Sequence, residues 1–265
     1  MCGISGYIGR EIINPKVIKK SLLLMKNRGP DANGSCNFFD KKTKINVNLL
    51  HTRLGIIDLD KRSNQPYTVG DLTLIYNGEI YNYLEIKKKI LIKKKVKFKT
   101  NSDTEVLLEA YKLFGINFLK KLEGMWSFAI WDNKKKNLLL SRDRFSEKPL
   151  YVFQNRKGLY FGSEIKYLKS LAQKKFKINE GHLVRYLFQG YKSLYKHDST
   201  FYENIENFPN ASYANIGKDL KIKYKKYWKL NFKPKKMNFE YAKKKVKKII
   251  LKKFKQKFRS DVPIA

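Results

Sequence analysis

Six short β-like runs occupy the first 170 residues, and they constrain the fold more than any other feature of the sequence. Each run alternates or clusters apolar residues between turns rich in Gly, Asn and Asp, as strands do. The runs cover residues 2–9, 46–57, 71–78, 125–132, 137–143 and 158–163. The stretches "WDNKKKNLLL" and "VFQNRKGLYFG" each predict a hairpin, because a polar turn separates two apolar segments.

Helical periodicity interrupts these runs three times, at residues 15–27, 82–94 and 102–115. The third of these segments opens with the capping-box pattern of Ser102 and Glu105. Antiparallel sheets with interspersed helices predict a layered α+β domain.

Beyond about residue 175 the sequence predicts a helix over 179–189, a turn-rich stretch to about 235 and a basic amphipathic helix over 238–259. One face of the last helix carries the apolar residues Ala242, Val246, Ile249, Ile250, Phe254 and Phe258. The final stretch "SDVPIA" then begins like a buried strand and stops, which predicts a truncated chain. We expect the last 50 or so residues to be loosely held, because the apolar helix face would lack its cover.

The composition is that of a folded and strongly basic protein. The 265 residues are 42% hydrophobic, enough for a core of ordinary size, and the net charge is +35. Such a surface attracts nucleic acids or acidic membranes. Most of the excess charge is Lys, threaded between Ile, Phe and Tyr at helical spacing, as the coding bias of an AT-rich genome produces. Because no nucleic-acid-binding motif accompanies the charge, we favour Lys-rich solvated helix faces over a nucleic-acid role.

Other classes of protein are disfavoured by what the sequence lacks. It has no apolar run of about 18 residues and no signal-peptide pattern, so we expect a cytoplasmic protein without a membrane partner. Apart from the two cysteines, Cys2 and Cys36, nothing indicates a disulfide-linked scaffold. The three histidines, His51, His182 and His197, are not spaced as metal ligands, so we expect no metal site.

Cys2 follows the initiator Met1 directly, and its side chain is small enough for Met1 to be removed. Cys2 would then carry a thiol and a free α-amino group. The reference pKa values are about 8.5 for the thiol and about 7.7 to 8.0 for the amine, so the amine can accept the thiol proton near neutral pH. One residue would supply both nucleophile and base. Taken alone, a cysteine at this position is more often a small incidental thiol than a catalytic group.

Two further stretches hold charged residues in defined surroundings. "NRGPDANG" (27–34) places a Gly-Pro turn between Arg28 and Asp31, as a rigid loop carrying charges would, although on this motif alone we favour a surface β-turn. "LLHTRLGIIDL" (49–59) places Arg53 inside an apolar strand. A buried Arg needs a partner, which is either a substrate carboxylate held by two hydrogen bonds or a structural ion pair.

The stretch "LIYNGEIYNY" (74–83) runs from a strand into Asn77, Gly78 and Glu79. An Asn amide and a Gly N–H are the donors of an oxyanion hole, although "YNGE" also suits a hairpin turn. Asp103 lies at a helix start, where it either caps the helix or accepts a substrate ammonium.

Together these motifs resemble the class II glutamine amidotransferase domain of asparagine synthetases. The order and spacing agree along the first 170 residues. The matching segments are Cys2-Gly3-Ile4, Arg28-Gly29-Pro30-Asp31, Arg53-Leu54, Asn77-Gly78-Glu79-Ile80-Tyr81-Asn82, Ser102-Asp103, "LEGMWSFAIWD", "SRDRFSEKPLYV" and "LYFGSEIKYL". The "KYW" at 226–228 and the final "RSDVPIA" resemble the start of the family's synthetase domain.

The resemblance implies a four-layer αββα N-terminal-nucleophile hydrolase sandwich. It also implies that Cys2 attacks the side-chain amide of glutamine while its own α-amino group moves the proton. Asn77 and the Gly78 N–H would stabilise the oxyanion. Ammonia would leave through a tunnel, and water would release glutamate from the thioester.

The same resemblance assigns the residues that bind glutamine. Arg53 would hold the α-carboxylate, and Asp103 with Glu79 would hold the α-amino end. Backbone groups of Leu54, Gly55, Ile56 and Ile57 would complete the pocket.

In the family, the ammonia meets a β-aspartyl-AMP that a C-terminal domain makes from aspartate and ATP-Mg. The resemblance therefore implies a glutamine amidotransferase domain at 1–215, followed at 216–265 by the start of an α/β ATP-pyrophosphatase-type synthetase domain. Its ATP-binding loop would come after "SDVPIA", so we expect only the glutaminase half-reaction from these 265 residues. The glutaminase needs no cofactor, whereas the full-length protein would use ATP and Mg. A homodimer is compatible with the family.

Three positions depart from the family pattern: Asn27 stands where many members have His, Ser146 where they have Gly, and "FPNAS" (208–212) replaces Pro-Gly-His. These departures leave the acceptor of the ammonia open, because relatives that amidate sugars or other carboxylates in surface-polymer synthesis share the same front half. A basic nucleic-acid-binding protein is the third alternative.

Overall fold

Two six-stranded antiparallel sheets form the centre of the protein in the computed structural model, which describes residues 1–191 and 198–263. The strands are β1 (Gly3–Gly9), β2 (Ala32–Asp40), β3 (Ile45–Arg53), β4 (Tyr67–Val69), β5 (Leu72–Ile80), β6 (Gly124–Asp132), β7 (Asn137–Arg142), β8 (Tyr151–Asn155), β9 (Gly158–Gly162), β10 (Ile205–Asn207), β11 (Ser212–Ile216) and β12 (Lys225–Lys226). The first sheet has the order β10-β8-β9-β1-β3-β2 and the second the order β12-β11-β7-β6-β5-β4.

The helices are α1 (Pro15–Met25), α2 (Tyr83–Lys93), α3 (Asp103–Phe114), α4 (Ile165–Leu171), α5 (Glu180–Gln189) and α6 (Phe239–Lys257). α1 and α4 cover the outer face of the first sheet and α2 and α3 that of the second, whereas α5 and α6 are largely exposed. Asn14 caps α1 and Ser102 caps α3 through their side-chain oxygens. Short 3₁₀ turns lie at Lys61–Ser63 and Gly115–Lys121.

Three apolar clusters separate four layers. Ile4 of the first sheet and Trp131 of the second belong to the cluster packed between the sheets. The second cluster joins α2 and α3 to the second sheet, and the third joins α1 and α4 to the first. Because both faces of the central strands are covered, β1 and β3 are buried at every position. The predicted αββα sandwich is therefore confirmed as an architecture.

The sequence predictions agree with the structure for all six β-like runs and all five predicted helices. Some details differ. Residues 54–57 form a loop, because β3 ends at Arg53. The "YNGE" stretch lies inside β5, so the hairpin-turn interpretation is wrong. No strand forms at 261–263, and the rest of the predicted "SDVPIA" strand lies outside the described residues.

The capping-box prediction is half correct. The Ser102 Oγ accepts a hydrogen bond from the Thr104 N–H at 3.1 Å. The Glu105 carboxylate does not return to the Ser102 N–H as a capping box requires. It accepts instead from the N–H groups of Lys99 and Thr100, which lie further from the helix start. The longer reach fixes the loop that precedes α3.

The C-terminal helix α6 keeps its apolar face largely in contact with solvent. Val246 is 53% exposed, Ile249 is 50% exposed and Phe254 is 55% exposed. Ion pairs hold its last turns, the clearest being Arg259 with Glu85. The exposed face is the one that we predicted to lack a cover, and its loose attachment stays a prediction.

The polypeptide continues into the second sheet beyond the predicted boundary at residue 215. β12 pairs with β11, and the buried Tyr227 donates a hydrogen bond to the Arg142 carbonyl at 3.1 Å. None of the helices in the two described ranges is long and apolar enough to cross a membrane.

Candidate active site

An open cleft with about 580 Å³ of empty space lies where β1, β3 and β5 meet the start of α3. Its lining residues are Met1, Cys2, Arg53, Leu54, Ile56, Ile57, Gln65, Tyr76, Asn77, Gly78, Glu79, Ser102, Asp103, Thr104 and Lys148. The fold thus brings together every predicted site residue except Gly55 in one cleft. Gly55 is not among the lining residues, and its N–H donates to the Asp31 carboxylate at 2.7 Å.

The Cys2 thiol is half-buried against the first residue after β3. Its Sγ lies 3.4 Å from the Leu54 nitrogen and 3.5 Å from the Leu54 carbonyl oxygen. The N–H of Leu54 favours the thiolate, but burial is the larger effect and raises the pKa of the Cys2 thiol. A thiol of raised pKa stays protonated at neutral pH and needs a base before it can act as a nucleophile.

The Arg28 side chain holds the main chain at Cys2. Its Nε donates to the Cys2 carbonyl at 2.9 Å, and its Nη1 lies 3.2 Å from a Glu164 carboxylate oxygen. The next residue, Gly29, has no room for a side chain, because a Cβ there would lie 2.3 Å from the Thr52 carbonyl carbon. Gly29 is therefore packed against β3, while Asn27, Pro30 and Asp31 stay exposed, so the motif is a surface turn that is anchored on one side.

Asn77 and Gly78 lie side by side on β5, opposite Ser127 and Trp126 of β6. Asn77 is 1% exposed, yet its side-chain Nδ2 has no hydrogen-bond partner among the described residues. A buried amide donor without a partner costs free energy, which a bound oxygen atom can recover. The pair offers the donors of an oxyanion hole at one wall of the cleft.

Asp103 is a buried carboxylate rather than a helix cap, since Ser102 occupies the cap position. One oxygen of Asp103 accepts from the Tyr76 hydroxyl and from the Ile80 N–H, both at 2.9 Å. Burial raises the pKa of Asp103, and these hydrogen bonds oppose that effect. Burial also raises the pKa of Glu79 on the same side of the cleft.

Most N–H donors of the Arg53 guanidinium are hydrogen-bonded to the loop that follows it. Its two terminal nitrogens donate to the carbonyls of Ile57, Asp58 and Asp60 and to the side chain of Asn64. Among residues 1–191 and 198–263 no carboxylate forms an ion pair with Arg53, so the structural ion pair is not found there. Four of its five N–H groups are taken, and in this conformation one is left for a ligand.

The cleft is also lined by residues that were not predicted as site residues, and Gln65, Tyr76 and Lys148 are the most informative of them. Gln65 bridges Tyr76 and Thr104, accepting from the Tyr76 N–H at 2.6 Å and donating to the Thr104 hydroxyl at 3.3 Å. Tyr76 in turn orients Asp103. Lys148 is only 6% exposed, and burial lowers the pKa of its ammonium group. Lys148 belongs to the motif "SRDRFSEKPLYV", where a Lys between acidic and Pro residues was the available signal.

No group of three or more His, Cys, Asp or Glu side chains within the described ranges is arranged to bind a metal. His197 lies outside those ranges.

Two of the positions that depart from the family pattern lie in turns. Asn27 is exposed in the turn after α1. Ser146 adopts φ of 58°, the left-handed conformation that favours glycine.

The four-layer sandwich, with Cys2 directly before the central strand β1 and with Asn77 and Asp103 in the same cleft, indicates the class of glutamine amidotransferase domains. The model of the family described as glutamine amidotransferase domain matches residues 1–228. The chain belongs to this family.

Similar proteins carry more specific names. The chain is 34% identical to a putative glutamine-hydrolysing asparagine synthetase 2 of Methanocaldococcus jannaschii, over all of this chain and 53% of the relative. It is also 34% identical to glutamine-hydrolysing asparagine synthetase 1 of Bacillus subtilis, over all of this chain and 41% of the relative. The chain therefore spans about half the length of these relatives or less.

A solved structure of glutamine phosphoribosylpyrophosphate amidotransferase from B. subtilis, complexed with ADP and GMP, shares the fold. The TM-score is 0.62 at 17% identity, over 86% of this chain and 49% of the other. At this identity the similarity supports the architecture alone.

Proposed function

We propose that this chain hydrolyses glutamine at Cys2. The observation that carries the proposal is the position of the Cys2 Sγ, 3.4 Å from the Leu54 nitrogen, in the same cleft as the unpartnered Asn77 amide. Asp103 in that cleft supplies a carboxylate for the ammonium group of an amino-acid substrate.

Removal of Met1 would free the α-amino group of Cys2, which takes the thiol proton. The Sγ then bonds to the side-chain amide carbon of glutamine, and the amide oxygen becomes an oxyanion. The Asn77 amide and the Gly78 N–H donate to that oxygen. The C–N bond breaks as the amine returns the proton to the leaving nitrogen, which departs as ammonia. Water activated by the same amine then cleaves the thioester and releases glutamate.

Glutamine is held at its other end. Asp103 and Glu79 face the α-ammonium group, and Arg53 with the backbone of Ile56 and Ile57 faces the α-carboxylate. Because Arg53 has one uncommitted N–H, we infer that it acts mainly through its positive charge and through the loop that it organises. The bidentate clamp predicted from the sequence would require some of its loop hydrogen bonds to break.

The chain offers a matched pair of cysteines for the test. Cys2→Ala should abolish release of glutamate from glutamine, while Cys36→Ala, which removes a half-buried thiol from β2, should leave it within about twofold. Mass spectrometry of the wild type should detect loss of Met1 and covalent labelling of Cys2 by 6-diazo-5-oxonorleucine. Glutamate release that survives Cys2→Ala would refute the proposal.

We propose further that the ammonia serves ATP-dependent amidation of aspartate, which the names of the two asparagine synthetase relatives support. Because the chain spans about half of those relatives or less, the acceptor needs its own test. A different carboxylate or a sugar is the alternative, and the similarity to the protein named amidase chry2 of Gibberella zeae, at 34% identity over 63% of this chain, keeps it open.

The glutamine cleft offers no spare carboxylate for Mg-ATP, since its two acidic lining residues, Glu79 and Asp103, are assigned to the ammonium group of glutamine. We propose that the synthetase domain that would hold ATP-Mg begins within residues 216–265, after β12 and the buried Tyr227. Incubated with glutamine, aspartate and ATP-Mg, this chain should yield glutamate and ammonia without asparagine, measured by amino-acid analysis. Formation of asparagine would overturn the proposal that this chain only releases ammonia and that the synthetase domain amidates aspartate.

A further inference from the structure

The segment that follows α6 lies against the loop that lines the candidate glutamine pocket. The Asp261 carboxylate accepts a hydrogen bond from the Asp58 N–H at 2.7 Å. The Asp261 N–H donates to the Ile56 carbonyl at 2.8 Å. Two hydrogen bonds of opposite direction thus tie a residue near the end of the described chain to a loop some 200 residues earlier.

Arg259 anchors the same segment two residues before Asp261. Its guanidinium makes a bidentate contact with Glu85, with both N–O distances at 2.7 Å, and also donates to the Tyr81 carbonyl at 2.7 Å. A bidentate Arg–carboxylate pair fixes orientation as well as distance. Tyr81 directly follows β5, so this anchor lies beside the strand that carries Asn77, and Asp261 is held at a defined position.

Asp58 is the point at which these contacts meet. It has φ of 51°, a conformation that non-glycine residues disfavour and that needs external support. Its carbonyl accepts from Arg53, and its carboxylate accepts from the Asn101 N–H at 2.6 Å. The N–H of Asp58 is directed to Asp261. Three separate elements therefore hold this one residue in place.

We propose that Asp261 is a positioning residue for glutamine binding. It fixes the Ile56–Asp58 stretch in the conformation in which Ile56 and Ile57 line the cleft. The proposal rests on the proposed glutaminase function. Because Asp261 touches neither Cys2 nor the oxyanion donors, its loss should weaken glutamine binding and spare the chemical step.

Two substitutions separate the hydrogen bond from other effects. Asp261→Ala removes the acceptor, whereas Asp261→Asn keeps a carbonyl oxygen that can still accept from the Asp58 N–H. Asp219→Ala is the matched control, since the Asp219 carboxylate also accepts one backbone N–H, from Lys221 at 3.3 Å, on an exposed loop remote from the cleft. Asp261 is itself exposed, so none of these changes threatens the core.

The measurements are steady-state glutaminase kinetics and amide exchange of the 54–60 loop, both on the 265-residue chain. Asp261→Ala should raise KM for glutamine about three- to tenfold, the effect of losing one hydrogen bond, with kcat within about twofold. Exchange of the Asp58 amide should accelerate. Asp261→Asn should recover most of both changes, and Asp219→Ala should change neither.

The two proposals fail in different ways. A wild-type chain that does not hydrolyse glutamine refutes the proposed function, and the positioning role for glutamine falls with it; amide exchange then decides only whether Asp261 holds the loop. If the wild type is active but Asp261→Ala leaves KM and Asp58 exchange unchanged, the positioning role is overturned. A drop in kcat with unchanged KM would overturn it as well.

Discussion

Replacing Asp103 with Asn removes a charge from the cleft while preserving the shape of the side chain. The Asp103 oxygen that accepts from Tyr76 and Ile80 can be replaced by the Asn carbonyl oxygen, and the new NH₂ group can donate to Ser102, whose Oγ lies 3.4 Å away. Every hydrogen bond seen in the wild type therefore has a counterpart. What disappears is the attraction for the ammonium group of glutamine.

The size of the effect follows from burial. A hydrogen bond between charged groups contributes about 1.5 to 3 kcal/mol, so the variant should lose about 10- to 150-fold in kcat/KM for glutamine. Stability should move the other way. Burial raises the pKa of Asp103 above the unfolded value of about 3.9. Protonated Asp103 therefore contributes favourably to the stability of the fold below that pH, and this contribution is lost as pH rises through the folded pKa. At pH 7 the carboxylate weakens the fold, and the neutral Asn should not.

Glutaminase kinetics and urea denaturation at pH 7 test both parts. We expect a large rise in KM for glutamine together with an unfolding free energy equal to or above that of the wild type. A change in KM below about threefold would refute the role in ammonium binding. A loss of about 2 kcal/mol or more in stability would mean that the charge itself supports the fold, against the burial argument.

Three further substitutions or conditions give separate tests. Gly78→Ala places a Cβ 2.2 Å from the Met125 carbonyl oxygen. Glutamine hydrolysis should therefore fall more than tenfold, and the free energy of unfolding measured in urea should fall by about 1 to 3 kcal/mol. Near-normal values would contradict the close packing. Ser146→Gly relieves a left-handed residue with φ of 58° and should raise stability by up to about 1 kcal/mol, whereas a decrease in the same assay would argue against strain there. The Arg259 hydrogen bond lowers the pKa of Glu85 to about 2, so the ion pair should be intact above the unfolded pKa of about 4.3 and weaken as pH falls from there toward 2. The weakening should be detected as faster amide exchange at residues 81–85. Exchange protection that persists below pH 2 would exclude this ion pair as its source.

The central strands and the helices were predictable because their periodicity is strong. Both hairpins of adjacent strands, β6–β7 and β8–β9, form as the sequence predicts. The edge strand β2 escaped prediction, since "ANGSCNFFD" alternates half-buried and exposed positions and is polar enough to resemble a loop. β10 and β12 are only three and two residues long and were lost in the turn-rich stretch.

The candidate site was predictable as a set of motifs, and its geometry was not. Resemblance identified Arg53 and Asp103, whereas the sequence gives no sign that Arg53 would bind main-chain carbonyls. Tyr76 precedes Asp103 by 27 positions, and only the packing of α3 on β5 brings them together. Lys148 comes from a loop that a local pattern cannot locate in the cleft. Such contacts depend on tertiary packing over long sequence separations.

Two buried arginines, Arg53 and Arg142, share a preference for carbonyl partners that affects how the protein responds to its medium. Arg142 donates to the carbonyls of Ser146, Lys148 and Phe208, and Arg53 likewise relies mainly on carbonyls. A peptide carbonyl has no net charge and does not titrate in the range that proteins tolerate. Salt screens such contacts much less than it screens exposed ion pairs.

The attachment of α6 is of the other kind, since exposed carboxylates hold Lys253 and Arg259. Rising ionic strength or acid would therefore loosen this end of the molecule first, and the Ile56–Asp58 stretch that Asp261 holds would lose its support with it. A chain of net charge +35 would then consist of a salt-tolerant sandwich and a mobile basic arm, with the choice of buffer deciding which form is studied.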